Sequence, residues 1–172
     1  EGLSAGADFI TADAERLPFA DSTFDTVISE CSFSLLPDKR SGAKEIARAL
    51  KPGGNLVITD VFLKAELSQE LKTNVTFNSC FSGAESLEGY FGLFADAGLK
   101  EPFFEDHSIE LRRIAYKLQI GYGSLAEFWT QFGSGTSPCC AGSEGSPESG
   151  DLWKRMFAEG KPGYGLFSFT KP

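Results

Sequence analysis

An α/β fold with a parallel sheet at its centre is predicted by three observations in this 172-residue chain. Thr26-Val27-Ile28-Ser29 is a short β-branched and apolar run, the pattern of a buried parallel strand. Ala43, Ile46, Ala47 and Leu50 then fall at 0, 3, 4 and 7, which draws one apolar stripe along a helix. Asn55-Leu56-Val57-Ile58-Thr59-Asp60-Val61-Phe62 gives the strongest strand signal in the sequence. A strand, helix, strand order of this kind closes through a right-handed crossover, so the two strands run parallel in a Rossmann-like sheet.

The remaining elements follow in chain order. Asp8-Phe9-Ile10-Thr11 reads as a short first strand. Asp38, after Pro37, suits the N-cap of the helix, and Pro52 with Gly53 and Gly54 ends it. Ser82-Gly83-Ala84-Glu85 has the form of a capping box for a helix through about Ala97, closed by Gly98. Glu101-Pro102-Phe103-Phe104-Glu105 suits another strand. Leu111, Ile114, Leu118, Tyr122, Leu125, Trp129 and Phe132 step by three or four, an amphipathic helical stretch that Gly121-Tyr122-Gly123 interrupts and Ser124-Leu125-Ala126-Glu127 restarts. Gly, Ser and Pro dominate 133–150, the composition of a mobile loop. Residues 151–159 read as a short helix, and Tyr164 to Thr170 as a last strand.

Composition narrows the function classes. With 16 Lys+Arg against 24 Asp+Glu the net charge is -8, which repels nucleic-acid backbones and anionic lipid. No apolar run approaches the roughly 20 residues of a membrane-spanning helix. Four cysteines without a Cys-x-x-Cys, and a single histidine, argue against structural zinc, so no metal site is expected. His107, in Glu105-Asp106-His107-Ser108, has the chemistry of a general base but sits at a strand-to-helix junction, where Asp106 or Ser108 would cap the helix.

The ordered set Asp13-Ala14-Glu15-Arg16-Leu17-Pro18-Phe19, then Phe24-Asp25, then Leu50-Lys51-Pro52-Gly53-Gly54 resembles the middle of a class I S-adenosylmethionine-dependent methyltransferase. The resemblance implies a Rossmann-like methyltransferase sheet, incomplete at its N-terminal side and extended by helical C-terminal additions. The glycine-rich loop that holds the methionine end of the cofactor in this family lies before the matched segment, where only Glu1 to Ala12 stand. The whole of 1–172 is then a partial methyltransferase domain: core strands and helices over 1–106, a helical insertion over 107–132, the loop over 133–150, and the last helix and strand over 151–172. With two strands of the family's sheet absent between Asp8-Phe9-Ile10-Thr11 and Thr26-Val27-Ile28-Ser29, the second is expected either to dimerise through its bare edge or to take the first as a neighbour.

Ligands of open α/β sheets bind at the carboxyl ends of the strands, and Asp13, Ser29 and Asp60 fall at such ends in this prediction. The resemblance implies S-adenosylmethionine as cofactor, with Asp13 accepting the adenine amine, the Ala14 N–H donating to a ring nitrogen, and Ser29 and Glu30 at the rim. Without the family, Asp13 is equally well the cap of a turn and Asp25 the anchor of a strand entry.

Within the superfamily the cysteines are the best lead to the acceptor. Ile28-Ser29-Glu30-Cys31-Ser32 with Pro37-Asp38-Lys39, and Asn78-Ser79-Cys80-Phe81-Ser82-Gly83-Ala84, resemble segments of arsenite methyltransferases in which both cysteines bind trivalent arsenic. That implies catalytic thiols at Cys31 and Cys80, a soft donor set for a soft metalloid. Glu30 and Ser79 depart from the pattern, and Cys139-Cys140 in the Gly/Ser/Pro-rich loop offers a third thiol, a strained disulfide or an idle pair. Buried free cysteines are also ordinary core residues in a reducing cytoplasm, the compartment expected here. Phe33, Phe77, Phe81 and Tyr90 flank the two cysteines and would form an apolar lid over them. The expected function is methyl transfer to a small-molecule acceptor, thiol-bound arsenite being the sharpest candidate and a small organic molecule the general one. The alternative is a non-enzymatic, thiol-bearing ligand-sensing or interaction domain on the same scaffold.

Overall fold

The computed structural model describes residues 6–69, 83–123, 155, 158–159 and 161–172. Strand β1 (Phe24–Glu30) is followed by a single 3-10 turn (Phe33–Leu35), helix α1 (Lys39–Ala49) and the long strand β2 (Leu50–Leu63). Helix α2 (Leu87–Asp96), strand β3 (Lys100–Asp106), helix α3 (Ser108–Tyr122) and strand β4 (Pro162–Thr170) complete the described elements. The sheet order is β1-β2-β4-β3, with β1 parallel to β2 and β4 antiparallel to both β2 and β3. The parallel β1-α1-β2 unit and the presence of a last strand are as the pattern predicts.

Helix α1 forms where its local signals put it. The Asp38 carboxylate accepts from the Ser41 N–H at 3.1 Å, satisfying one of the otherwise unpaired amides of the first turn. Ala43, Ile46 and Ala47 are buried, so the apolar stripe meets the sheet. The helix stops at Ala49, three residues before Pro52, and the chain enters the β ladder at Leu50, opposite Phe24. Lys51 to Gly54 are therefore a bulge at the mouth of β2 rather than the terminator of α1. Glycine is required there twice: Gly53 has φ 77°, and a Cβ on Gly54 would lie 2.9 Å from the Lys51 carbonyl and 3.0 Å from that of Asp25. Lys51 Nζ reaches the Asp25 carboxylate at 2.8 Å, which ties the Phe-Asp segment to the Lys-Pro-Gly-Gly segment.

One face of β2 and β4 carries the core. Leu56, Ile58 and Phe62 alternate along β2 and pair with Phe169, Phe167 and Gly163 on β4. Against them lie Tyr90 and Phe94 of α2 and Phe33 of the 3-10 turn, in ring contacts of 4.7 Å (Tyr90 to Phe167), 4.7 Å (Phe94 to Phe169) and 4.9 Å (Phe33 to Phe94). Tyr90 directs its hydroxyl to the Val61 carbonyl at 3.0 Å, so its polar end is satisfied inside the core. Gly98, at φ 90°, closes α2 in a Schellman motif: the Leu99 N–H donates to the Phe94 carbonyl and the Gly98 N–H to that of Ala95.

Four expectations are corrected. Residues 8–11 form no strand and pair with nothing among the described residues; Phe9 is 94% exposed. An extended run gains its stability from ladder partners, and this one has none. β1 is parallel but not buried: it is an edge strand, and Ile28 is 67% exposed. The cap of α2 is Ser86, which accepts from the Gly89 N–H at 3.0 Å, and not Ser82. Residues 84–86 are held extended instead, because the Leu63 N–H donates to the Glu85 carbonyl and Leu63 bridges Ser86. Phe33 and Tyr90 are core residues at 2% and 0% exposure, so they make no lid. The second helix of the amphipathic stretch, the loop over 133–150, Phe77, Phe81, Cys80, Cys139 and Cys140 lie outside the described residues, as does most of 151–159.

Candidate cofactor and acceptor site

The loop that carries Asp13 and Ala14 is pinned to α1 by charge. Arg48 donates to the carbonyls of Phe19 (2.7 Å) and Leu17 (3.1 Å) and to the Asp21 carboxylate (2.7 Å), while Glu45 holds it from below at 2.8 Å. Glu45 also accepts from the Leu17 N–H at 2.8 Å, and Glu15 accepts from the Asp38 N–H at 2.7 Å. The hydrogen bonds from Arg48, then that from the Leu17 N–H and the charge of Arg48, hold the Glu45 carboxyl below the usual range, so the clamp is ionised at neutral pH.

Beside this loop, at the carboxyl end of β1, lies a cleft of about 250 Å³. Ala14, Leu17, Val27, Phe33 and Leu36 give it apolar walls, and Ser29, Glu30 and Ser32 a polar rim. Three of the four expected cofactor residues, Ala14, Ser29 and Glu30, are thus brought together. Asp13 is not part of the wall. It is exposed, and its Oδ1 accepts from the Glu15 N–H at 2.9 Å while its carbonyl accepts from the Arg16 N–H at 3.0 Å, so it is the cap of a turn. An apolar slot for a planar ring with hydrogen-bonding groups at its edge fits the adenine end of S-adenosylmethionine. Ala14 would face the ring edge, and Ser29 and Glu30 the polar side.

Cys31 follows β1 in the left-handed region, φ 48°, with its N–H donated to the Thr59 carbonyl at 2.8 Å. Its thiol is exposed and lies 3.3 Å from the Tyr164 hydroxyl on β4, a contact across 133 positions of sequence. Partial burial, then the hydrogen bond with Cys31, pushes the Tyr164 hydroxyl up to about 12, so it is protonated at neutral pH and able to donate to the sulfur. Sequence inspection found Cys31 and missed Tyr164. Only strand pairing joins them.

The turn between Cys31 and α1 is anchored by Asp60. This carboxylate is not at the end of its strand but three residues inside β2, and fully buried. Its oxygens accept from the Ser34 N–H, the Ser34 hydroxyl and the Val61 N–H, each at 2.8 Å. Burial raises its pKa against the pull of these bonds. Ser34 in turn packs so closely on Gly83 that a Cβ there would meet its carbonyl at 2.1 Å. Asp60 is a positioning residue: through Ser34 it fixes Phe33 and Ser32, two walls of the slot.

His107 precedes α3 and caps it with no side-chain bond. Its Nε2 lies 3.3 Å from the Glu105 carboxylate, while Asp106 accepts from both the N–H and the hydroxyl of Ser108. It belongs to the junction, away from the slot. No group of His, Cys, Asp and Glu among the described residues could hold a metal ion. No helix among them is long and apolar enough to cross a membrane.

This Rossmann-like sheet, with a partly apolar cleft at the carboxyl end of a parallel strand, has the architecture in which nucleotide cofactors are bound. Residues 1–58 match the model of the methyltransferase domain family. The chain is 32% identical over 176 residues to the methyltransferase GfsG of Streptomyces halstedii, covering 100% of this chain and 59% of that protein. It is 34% identical over 111 residues to an arsenite methyltransferase of Aquipseudomonas alcaligenes, covering 63% of this chain and 32% of the relative. In fold it matches the (4+2)-cyclase SpnF with a TM-score of 0.68 at 24% identity, over 99% of this chain and 58% of that one. The chain spans less than two thirds of the length of each of these proteins. Its first third thus matches the methyltransferase domain family, and its fold is that of the class I S-adenosylmethionine-dependent methyltransferases.

Proposed function

We propose that this chain serves methyl transfer from S-adenosylmethionine to a small-molecule acceptor. The observation that carries it is the slot where Ala14, Ser29 and Glu30 meet around apolar walls at the carboxyl end of β1. When bound, the cofactor supplies an electrophilic methyl on a sulfonium. The chain supplies orientation and a dry wall for one end of it: Leu17, Val27 and Phe33 exclude water from the ring, and Ala14 and the rim fix its register. Cys31 and Tyr164 stand beside this slot on the acceptor side, where the Tyr164 hydroxyl holds a thiol or an acceptor heteroatom in place. In this reading 1–106 is the core, 107–132 a helical insertion, 133–150 a connection, and 151–172 the last helix and strand. The unpaired outer edge of β1 supports a homodimer through that edge.

Adenosine titrated into the isotope-labelled chain tests the slot. Saturable amide shifts at Ala14, Leu17 and Ser29 are expected. Shifts confined to residues remote from β1, or none at concentrations of tens of millimolar, would remove the cofactor assignment.

A metalloid acceptor is the second reading, favoured by the exposed thiol of Cys31 at the carboxyl end of β1 and by the likeness to an arsenite methyltransferase. A reducing cytoplasm would keep that thiol available. Trivalent arsenic should then protect Cys31 and Cys80 together from alkylation, and Cys31→Ser should abolish that protection. Equal alkylation rates with and without arsenite leave the organic acceptor alone.

A further inference from the structure

The sheet edge that carries Cys31 and Tyr164 also carries a second cleft, of about 570 Å³, between α3 and the start of β4. Its described lining includes Lys64, Arg112 and Lys161 and no acidic side chain. In a chain of net charge -8 such a concentration of positive charge is against the general trend. Arg112, Tyr116 and Gln119 come from successive turns of α3 and present a guanidinium, a phenol and a carboxamide to one space. Lys161 closes the opposite side, its carbonyl accepting from the Lys64 N–H at 3.4 Å. Lys64 is balanced by Asp106 at 2.9 Å, whereas Arg112 and Lys161 form no ion pair among the described residues.

The cleft lies on the face of the candidate acceptor site. Side chains alternate along a strand, so Pro162, which lines the cleft, and Tyr164, which touches Cys31, point to the same side of β4. Two residues, Pro162 and Gly163, separate Lys161, just before β4, from Tyr164, a span of about 10 Å at most. That is the length of a small organic molecule with a reactive atom at one end and a charged group at the other.

We infer that this cleft binds an anionic group, carboxylate or phosphate, of a small organic acceptor whose reacting atom lies at Cys31 and Tyr164. The inference rests on the methyl-transfer proposal for the identity of the ligand as acceptor, and on the cleft alone for its charge. It also separates the two acceptor readings, since arsenous acid is uncharged at neutral pH and has no use for these cations. Planar guanidinium and two ammonium groups around one opening suit an oxyanion.

The test is a titration of the labelled chain with sodium pyrophosphate and, separately, succinate, at ionic strength held constant with chloride. Saturable shifts at Arg112, Gln119 and Lys161, with a dissociation constant of about 1 mM or tighter, are expected for at least one probe. The probe that binds more tightly assigns phosphate or carboxylate. Arg112→Gln and Lys161→Gln should each weaken binding at least about fivefold, the loss of one charge-assisted hydrogen bond, while Arg112→Lys retains part of it. Shifts that chloride reproduces, or Gln variants that bind as tightly as the native chain, would overturn the inference; circular dichroism of these surface variants checks that they fold. If a probe binds as stated and adenosine shifts none of Ala14, Leu17 and Ser29, the cleft stands and the methyl-transfer proposal falls. If an acceptor is methylated and Arg112→Gln leaves its KM unchanged, the cleft falls alone.

Discussion

The two sides of β2 are stabilised by different physics. Toward β4 the sheet is closed by aromatic packing, with Tyr90, Phe94, Phe167 and Phe169 at no more than 2% exposure. Toward β1 it ends in an open edge, and the loop that meets the slot is held by Arg48, Glu45, Glu15 and Asp38 through hydrogen bonds near the surface. The lesson is a division of labour. Apolar burial, which depends on area and not on direction, secures the fold. Directional polar contacts, which a bound ligand can exchange for its own, shape the site.

The largest expected effect comes from breaking the aromatic side. Phe167 is fully buried and packs on Phe62, Tyr90 and Phe104. Phe167→Ala should cost about 3 to 5 kcal/mol, as large-to-small core changes do. Ile28→Ala on the open edge should cost within about 0.5 kcal/mol, as exposed changes do. Urea unfolding followed by circular dichroism measures both, and similar losses at the two positions would erase the contrast between the sides.

Asp60 tests the boundary, because it is a polar anchor inside the apolar half. Asp60→Ala leaves the Ser34 and Val61 amides without an acceptor and should cost about 1 to 3 kcal/mol. The pH dependence has a definite sign. A carboxyl whose folded pKa is raised favours folding while protonated, and that stabilisation fades as pH rises from below 3.8 through the folded value. The carboxyls held below their ordinary range, such as Asp38, Glu45 and Asp106, lose stability on acidification, and Asp60 offsets part of that loss, so Asp60→Asn should make the fall of stability toward acid steeper. A variant curve parallel to that of the native chain would show that Asp60 is not the group responsible.

How much was legible in the sequence follows the same division. Helix α1, its Asp38 cap, the Gly98 stop of α2 and the long strand β2 depend on signals within a few residues, and they form where those signals lie. The Ser82 cap failed because a tertiary contact between Leu63 and Glu85 holds the following residues extended. The strand at 8–11 failed because a strand needs a partner that local sequence does not provide. The slot was half legible: Ala14, Ser29 and Glu30 were carried by the family pattern, whereas Arg48, Ser34 and Asp60 shape it through contacts 26 to 31 positions away. Tyr164 and the basic cleft were out of reach, since only the antiparallel register of β4 brings them to this edge.

A smaller effect sharpens the polar side. Tyr164→Phe removes the hydroxyl that lies 3.3 Å from the Cys31 thiol and keeps the ring. Stability should change by no more than about 1 kcal/mol, the net value of one hydrogen bond. The thiolate loses that stabilisation, so Cys31 should react about fivefold more slowly with iodoacetamide at neutral pH, the rate equivalent of such a bond. Faster alkylation would mean that the hydroxyl shields the thiol and does not support it.

The smallest effect is expected at a pair that the family pattern makes conspicuous. Asp25 and Lys51 join two signature segments through a contact of 2.8 Å, and the bond and charge of Lys51 lower the Asp25 carboxyl below its ordinary value. Their side chains are 85% and 43% exposed. Water and salt screen such a pair, and the two long side chains lose freedom in forming it. Asp25→Asn should leave the urea midpoint unchanged within error, and added salt should not separate the variant from the native chain. The bulge itself has a different source of order, because Gly54 approaches the Asp25 carbonyl through backbone that the substitution leaves intact. Gly54→Ala should therefore lower the midpoint where Asp25→Asn does not. If the ranking is reversed, the salt bridge and not the glycine-dependent bulge sets the register of β1 on β2, and the open side of the sheet owes more to charge than its exposure suggests.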